Sequence, residues 1–358
     1  MRSILTIDIG AGTMDILYYE VQTGNHYKAV VKSPVLTVAE DLEKAPDPIL
    51  VTGVEMGGGS LTRILGERAQ KTEILMSVSA AATVHHNLDR VRSLGIGVVG
   101  DEEAENLRRG KKYYHIELGD IQLDRLKAII EGLGIDFSFD VIGICAQDHG
   151  RPPEGVSHLD YRHSMFREKL DHTPYPHSLL YPVDQVPETF SRLNSIALSA
   201  RSIPCNEAYV MDSGMAAILG ACMDPRMRGK KKALVLDVAT SHTLGASIHR
   251  EEIAGFFEYH TSDITLEKIE DLLVKLSNGE LAHEKILEQG GHGAYIRKPI
   301  GFSEVEVIIV TGPKRGLLRG TRLSILPGSP LGDNMMTGTV GLLEAVRRRK
   351  GLKEITYE

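Results

Sequence analysis

Tryptophan is absent from this 358-residue chain, and aromatics make up only 5% of it. Proteins that stack bases on aromatic platforms need such rings, so that mode of nucleic-acid binding is not indicated. Charge points the same way. The 41 basic residues face 48 acidic ones, and the net charge of −7 offers no general attraction to a phosphate backbone. No apolar run approaches the length of a membrane span, so no membrane partner is expected. The opening Met1-Arg2-Ser3-Ile4-Leu5 leads to Asp8 without a secretory leader, which makes the cytoplasm the expected compartment. Cysteine is scarce too. Cys145, Cys205 and Cys222 are widely spaced in apolar surroundings and read as buried thiols rather than disulfides, a zinc knuckle or an iron–sulfur cluster.

Glycine, by contrast, is plentiful, with 36 residues that imply many tight turns or ligand loops. The most informative lie in Asp8-Ile9-Gly10-Ala11-Gly12-Thr13-Met14-Asp15. Apolar Ser3 to Ile7 precede this segment, and Ile16 to Val21 follow it, so the unit reads as strand, glycine turn, strand. Such a turn brings backbone N–H groups close to an anion, and Asp8 is placed to hold magnesium through water. A glycine-bearing hairpin that binds nothing remains an equal reading. A dinucleotide fingerprint does not fit, because position 15 is Asp15 and no helix pattern follows the turn.

Further along, Pro48 to Thr52 reads as a strand, and Gly57-Gly58-Gly59 feeds a helix over 61–70 with Ser60 as its N-cap. Residues 80–92 and 120–133 read as helices, and 95–100 and 137–145 as strands. The proline-bearing stretch 151–187 reads as a long irregular connection. Asp212-Ser213-Gly214-Met215 opens an apolar helix rich in Ala and Gly, a pattern that lets another backbone pack very close. Ala233 to Ile248 then repeats the opening plan: apolar strand, Asp237 at its end, a hydroxyl-bearing turn of Thr240, Ser241 and Thr243, and a second strand. Two such hairpins imply two similar lobes facing a cleft, the clamp that phosphoryl transfer requires. A strand over Val305 to Val310 ends in Gly312-Pro313. Gly338, Gly341 and Ala345 then lie along a last helix that ends in basic residues.

The succession Asp8–Asp15, Asp212–Cys222, Asp237–Ala246, Val307–Lys314 and Asp333–Ala345 resembles the superfamily of actin, sugar kinases and heat-shock chaperone ATPases. That resemblance implies an α/β, two-lobed actin-like ATPase fold, a duplicated ribonuclease H-like architecture with a nucleotide cleft between the lobes. It implies a first lobe of residues 1–224 with an insertion around 54–120, completed by the helix at 333–358, and a second lobe of 225–332. ATP and Mg2+ are the implied cofactors. Asp8 and Asp237 would hold the magnesium through water and share in catalysis. Gly10, Gly12, Thr13, Thr240, Ser241 and Thr243 would grip phosphates, and Gly312 and Pro313 would border the adenosine. Two departures stand out: the second turn reads Val238-Ala239-Thr240-Ser241 where glycines are usual, and Pro313 replaces a common glycine.

Gln147-Asp148-His149-Gly150 is similar to the substrate-reaching loop of carbohydrate kinases, which makes Asp148 the candidate base, with Gln147 and His149 behind it. Met56-Gly57-Gly58-Gly59, the same Gln147 loop, Glu258-Tyr259-His260-Thr261 and Gly290-Gly291-His292-Gly293 also resemble a prokaryotic family labelled pyruvate formate-lyase activating. A radical-SAM activase needs a Cys-x-x-x-Cys-x-x-Cys motif, and the three scattered cysteines do not supply one. His85, His86, His149, His242, His260 and His292 show no His-x-x-x-His spacing, so magnesium arriving with nucleotide is the expected cation. The function expected first of such a cleft is a Mg2+-dependent ATPase that passes lobe closure to a partner protein; the alternatives are a phosphotransferase acting on a small-molecule acceptor and a non-catalytic ligand-binding protein.

Overall fold

The computed structural model describes residues 1–153 and 155–358. The chain opens with β1 (Ser3–Ile9), β2 (Thr13–Glu20) and β3 (His26–Lys32), an antiparallel meander. Four short strands follow: β4 (Ile49–Gly53), β5 (Ile74–Ser77), β6 (Gly97–Val99) and β7 (Tyr114–Leu118). They form their own parallel sheet in the order β6-β5-β4-β7, over a separate apolar core that includes Val51, Leu61, Leu65 and Met76. The chain then returns to the first sheet with β8 (Phe139–Ala146), β9 (Leu180–Pro182) and β10 (Cys205–Asp212), giving β3-β2-β1-β8-β10-β9.

The rest of the chain repeats the plan. β11 (Lys232–Val238), β12 (His242–His249) and β13 (Glu252–His260) form a second antiparallel meander, and β14 (Gly293–Ile296) extends it. β15 (Val307–Thr311) and β16 (Leu326–Pro327) add in parallel on the other side of β11. Both sheets therefore carry a meander whose first strand is flanked by parallel strands, in the order three-two-one-four-five. This is the duplicated ribonuclease H-like, actin-like two-lobed fold. The central strands are apolar on both faces because each sheet is covered on both sides: Ile4, Leu5 and Ile7, and likewise Leu234, Val235 and Leu236, are fully buried.

Two helices cross between the lobes. Ser213–Cys222 starts from Asp212, whose carboxylate accepts the N–H groups of Gly214 (3.0 Å) and Met215 (3.3 Å). It lies against Thr337–Lys350 so closely that a Cβ on Gly220 would sit 1.8 Å from the Thr337 carbonyl oxygen. One on Gly341 would sit 1.8 Å from that of Ala216. The small residues noted in the sequence are what permit this backbone-to-backbone contact.

Three local readings change. Ser60 is not a cap: the helix is Gly59–Ala69, Gly58 stands at its N-cap, and the turn there packs within 2.5 Å of where a Gly58 Cβ would meet the Thr83 carbonyl. Residues 80–92 hold two short helices, Val78–Ala81 and Leu88–Ser93, rather than one. Within 151–187, His158–His172 is a regular helix of 15 residues, capped by Ser157. Its inward positions include Arg162 and His163 beside Phe166 and Leu170, so charge on the buried face conceals the helical period.

Candidate functional site

One cleft of about 720 Å³ runs between the lobes and under the inserted sheet. Asp8, Gly10, Gly12 and Thr13 line it from the first hairpin, and Asp237, Thr240 and Ser241 from the second. Asp148, Gly312 and Pro313 line it as well. Thr243 does not. In a strand, successive side chains take opposite faces. His242 takes the cleft face, and Thr243 is fully buried on the other, its hydroxyl 3.0 Å from that of Thr261.

The two turns are built alike. In the first, Gly10 N–H donates to the Thr13 carbonyl (2.9 Å), while Ser33 holds the other two carbonyls, its N–H on Gly12 (3.1 Å) and its hydroxyl on Gly10 (2.6 Å). In the second, Ala239 N–H donates to the His242 carbonyl (3.0 Å), and Thr261 repeats the brace with its N–H on Ser241 (2.9 Å) and its hydroxyl on Ala239 (2.9 Å). Asp8 thus corresponds to Asp237, Gly12 to Ser241 and Thr13 to His242. The missing glycines leave the backbone plan of the second turn unchanged. They do alter its surface: a Cβ on Gly12 would lie 3.2 Å from Thr240 Cγ2, so the two turns nearly touch. Gly312 has φ +90°, and a Cβ there would lie 2.3 Å from the Val238 carbonyl, so this position requires glycine.

Carboxylates crowd the centre. Asp8 pairs with Asp15 directly across the first hairpin, an arrangement of like charges that costs free energy. Burial pushes the Asp8 carboxyl up to about 7, with the charges of Asp237 and Asp212 adding to the rise. Burial, then the charge of Asp8, takes Asp15 to about 8. Burial takes Asp237 to about 6, against a 2.8 Å hydrogen bond from Thr311. One Asp15 oxygen is buried with no hydrogen-bond partner. A divalent cation among these groups would offset their repulsion, so the residues fit Mg2+. The sequence pattern gives Asp15 no role in the site, although a hairpin closing on Gly10 to Thr13 necessarily sets it opposite Asp8.

Asp148, the candidate base, has both of its oxygens engaged by the backbone. Its two oxygens accept backbone N–H groups of Gly150 (2.7 Å) and Leu193 (2.8 Å), so it ties the loop to the start of the helix Ser191–Ala200. Burial raises its carboxyl to about 6, against those two hydrogen bonds. Its side chain is almost wholly buried and braces the loop that carries Gln147 and His149. Arg192 holds the same loop, donating to the Gln147 carbonyl (2.9 Å) while it grips Asp120 with two bonds of 2.8 Å.

The group that sequence reasoning missed is Arg162, buried at the cleft wall. It donates to Asp212 (2.7 and 3.3 Å), to Glu258 (3.3 Å) and to the Asp148 carbonyl. Burial alone would raise Glu258, but the Arg162 guanidinium holds its carboxyl well below the usual range. Gln147 donates to the other Glu258 oxygen. Around this pair stand His149, His242 and His292, whose ring nitrogens lie within 4.8 Å of one another, with His260 on the rim. His85 and His86 stay apart from them. They stack near His158, and His86 lies 3.0 Å from Glu55. Burial lowers His149 to about 3 and His242 to about 4, leaving neutral imidazoles. The sequence offers these histidines as possible metal ligands, but its spacing does not show which of them converge, because they come from β12 and from loops near β8 and β14.

A family model described as "Putative pyruvate format-lyase activating enzyme (DUF1786)" matches residues 56–317. No curated protein matches the chain. Among solved structures, ethanolamine utilization protein EutJ from Carboxydothermus hydrogenoformans is 11% identical, with a TM-score of 0.35 over 96% of this chain and 89% of that one. A Listeria monocytogenes protein described as "a putative N-acetylmannosamine kinase" is 10% identical, with a TM-score of 0.38 over 97% and 99% of the respective chains. A Bacteroides thetaiotaomicron protein "with actin-like ATPase fold and unknown function" is 8% identical, with a TM-score of 0.32 over 89% and 86%.

Proposed function

This chain belongs to the DUF1786 family, and we propose that it binds ATP with Mg2+ in the cleft and transfers the terminal phosphoryl group to a small polar acceptor. The observation that carries this reading is the pair of equivalent hairpins whose Asp8 and Asp237 line one cleft. Asp8 and Asp237 would hold the magnesium. The Gly10–Thr13 and Thr240–Ser241 turns take the phosphates, and Gly312 with Pro313 borders the adenosine. Bound Mg2+ and ATP supply the phosphoryl group and neutralise its charge. The acceptor side is supported by the cleft's extension past Gln147 toward Glu55, Gly57, Ser60 and His86 of the inserted segment. The polar groups there suit a hydroxyl-bearing ligand.

An ATPase that drives a partner protein is the second reading. It calls for an exposed apolar docking patch. Of the exposed large apolar residues, Tyr27 and Val30 share β3 on alternate faces, while Val78, Leu198 and Leu317 lie on other elements, which favours the acceptor instead. The activity named in the family description does not fit the residues. Cys145 and Cys205 lie toward opposite ends of paired strands, six positions apart or about 20 Å, and all three thiols are free. They cannot share a cluster.

Calorimetry with Mg2+ and ATP tests the proposal. Saturable binding that falls at least about tenfold in Asp8→Ala, in a folded protein, is the expected result, equivalent to about 1.4 kcal/mol. No binding by the wild type sinks the reading. A pH series gives a second check. The raised carboxyls favour the fold while protonated. Their contribution is full below the ordinary value of 3.8 and is lost as pH climbs through about 6 to 8. Mg2+ is therefore expected to raise the melting temperature more at pH 8 than at pH 5.5, and an equal effect at both would count against the site.

A further inference from the structure

We infer that His149, His242 and His292 form a second, separate metal site that binds one divalent first-row transition ion, Zn2+ or Fe2+. Three ring nitrogens mutually within 4.8 Å lie close enough for small side-chain rotations to bring all of them to about 2.0–2.1 Å from one ion. Two of these histidines carry a ring nitrogen with no other occupation: His242 Nε2 and His292 Nδ1 are buried and accept or donate no hydrogen bond. Buried polar atoms are seldom left so, and a ligand bond satisfies both at once. All-imidazole donors suit zinc or iron and are poor ligands for Mg2+, which sets this cluster apart from the Asp8 and Asp237 carboxylates.

The surroundings favour a cation. Asp212 and Glu258 oppose the single guanidinium of Arg162, which leaves a net negative charge beside the rings. Glu258 Oε1 stands 4.0 Å from His292 Nδ1, where its negative charge would offset that of an ion. His292 closes the back of the site at 3% exposure, while His149 and His242 line the cleft. Three protein ligands with the remaining position toward solvent are the arrangement of catalytic rather than structural zinc. Position matters as well. His242 occupies the place in the second turn that Thr13 holds in the first, so the duplicated phosphate turn has exchanged a hydroxyl for a metal ligand. His149 comes from the first lobe, and His242 and His292 from the second. A bound ion therefore ties the lobes together across the cleft.

The test uses nucleotide-free full-length protein and metal ions alone, so it stands apart from ATP binding. Metal-stripped protein is titrated with Co2+, and uptake is read from its visible d–d absorption and by elemental analysis, then repeated with Zn2+. With excess Mg2+ present to occupy the carboxylates, one Co2+ per chain is expected, with affinity falling about 100-fold or more in His292→Ala and in His149→Gln, and unchanged in His85→Ala. His149→Gln lies at the cleft surface and serves if His292→Ala does not fold. Absence of stoichiometric uptake by folded wild type overturns the site. So does uptake that survives His149→Gln, or that excess Mg2+ abolishes.

Discussion

Gly341→Ala is expected to cost about 3 kcal/mol or more, even though alanine is the better helix former by about 1 kcal/mol. The added carbon would sit 1.8 Å from the Ala216 carbonyl oxygen, and the obstacle is backbone inside a helix, which cannot rotate aside. To admit it, Ser213–Cys222 and Thr337–Lys350 must move apart and give up packing along their whole crossing. Gly66→Ala is the matched control. It lies inside the helix Gly59–Ala69 with nothing within 4 Å of the new atom, and it is expected to stabilise by up to about 1 kcal/mol. Urea unfolding of the two variants beside wild type reads opposite signs. A neutral Gly341→Ala would mean that the helices do not cross at this distance.

Arg162→Leu is expected to be the most damaging single change at the cleft wall, at about 3–5 kcal/mol. Leucine restores some packing but leaves Asp212 and Glu258 buried without their cation. An exposed pair shows the contrast: Arg63 and Glu67, about 60% exposed, are worth at most about 0.5 kcal/mol. The pH dependence identifies the mechanism. In the wild type the Glu258 carboxyl is held low. Its stabilising contribution is present above the ordinary value of 4.5 and is lost as pH falls through the folded value. Without Arg162 the carboxyl rises and the sign reverses, so the gap between variant and wild type narrows as pH drops below about 4.5. Denaturation at pH 7 and pH 4 measures it. A gap of constant size would assign the loss to packing alone.

The parts of this molecule that could be read from the sequence are those in which a local pattern carries the chemistry. Asp8 to Thr13 announces a hairpin because apolar strands flank two closely spaced glycines, and Asp237 announces its partner by repeating the order. The crossing helices show in the Gly and Ala spacing from Ser213 onward and again at Gly338 and Gly341. What escaped depends on distance or on facing. Arg162 finds its carboxylates 50 and 96 residues away, and no window around it hints at either. Thr243 was drawn into the phosphate turn by its hydroxyl, although strand alternation sends it to the opposite face from His242. Asp148 has the residue type of a base, but the helix beginning at Ser191 supplies an N–H that ties up its second oxygen. The histidines share no spacing because the sheet, rather than a helix, brings them together.

The hydroxyl of Thr6 in β1 donates to the carbonyl of Thr339, a bond of 3.0 Å between residues 333 positions apart. Lys28 likewise reaches the Leu331 carbonyl at 2.9 Å. On the ribosome, at about 5–20 residues per second, the first strand is made on the order of tens of seconds before the helix that covers it. Throughout that interval the apolar flank of β1 and β8 awaits its last layer. The newborn chain therefore carries an unfinished first sheet until the helix Thr337–Lys350 has been made, and it is before then that a chaperone would have most to protect.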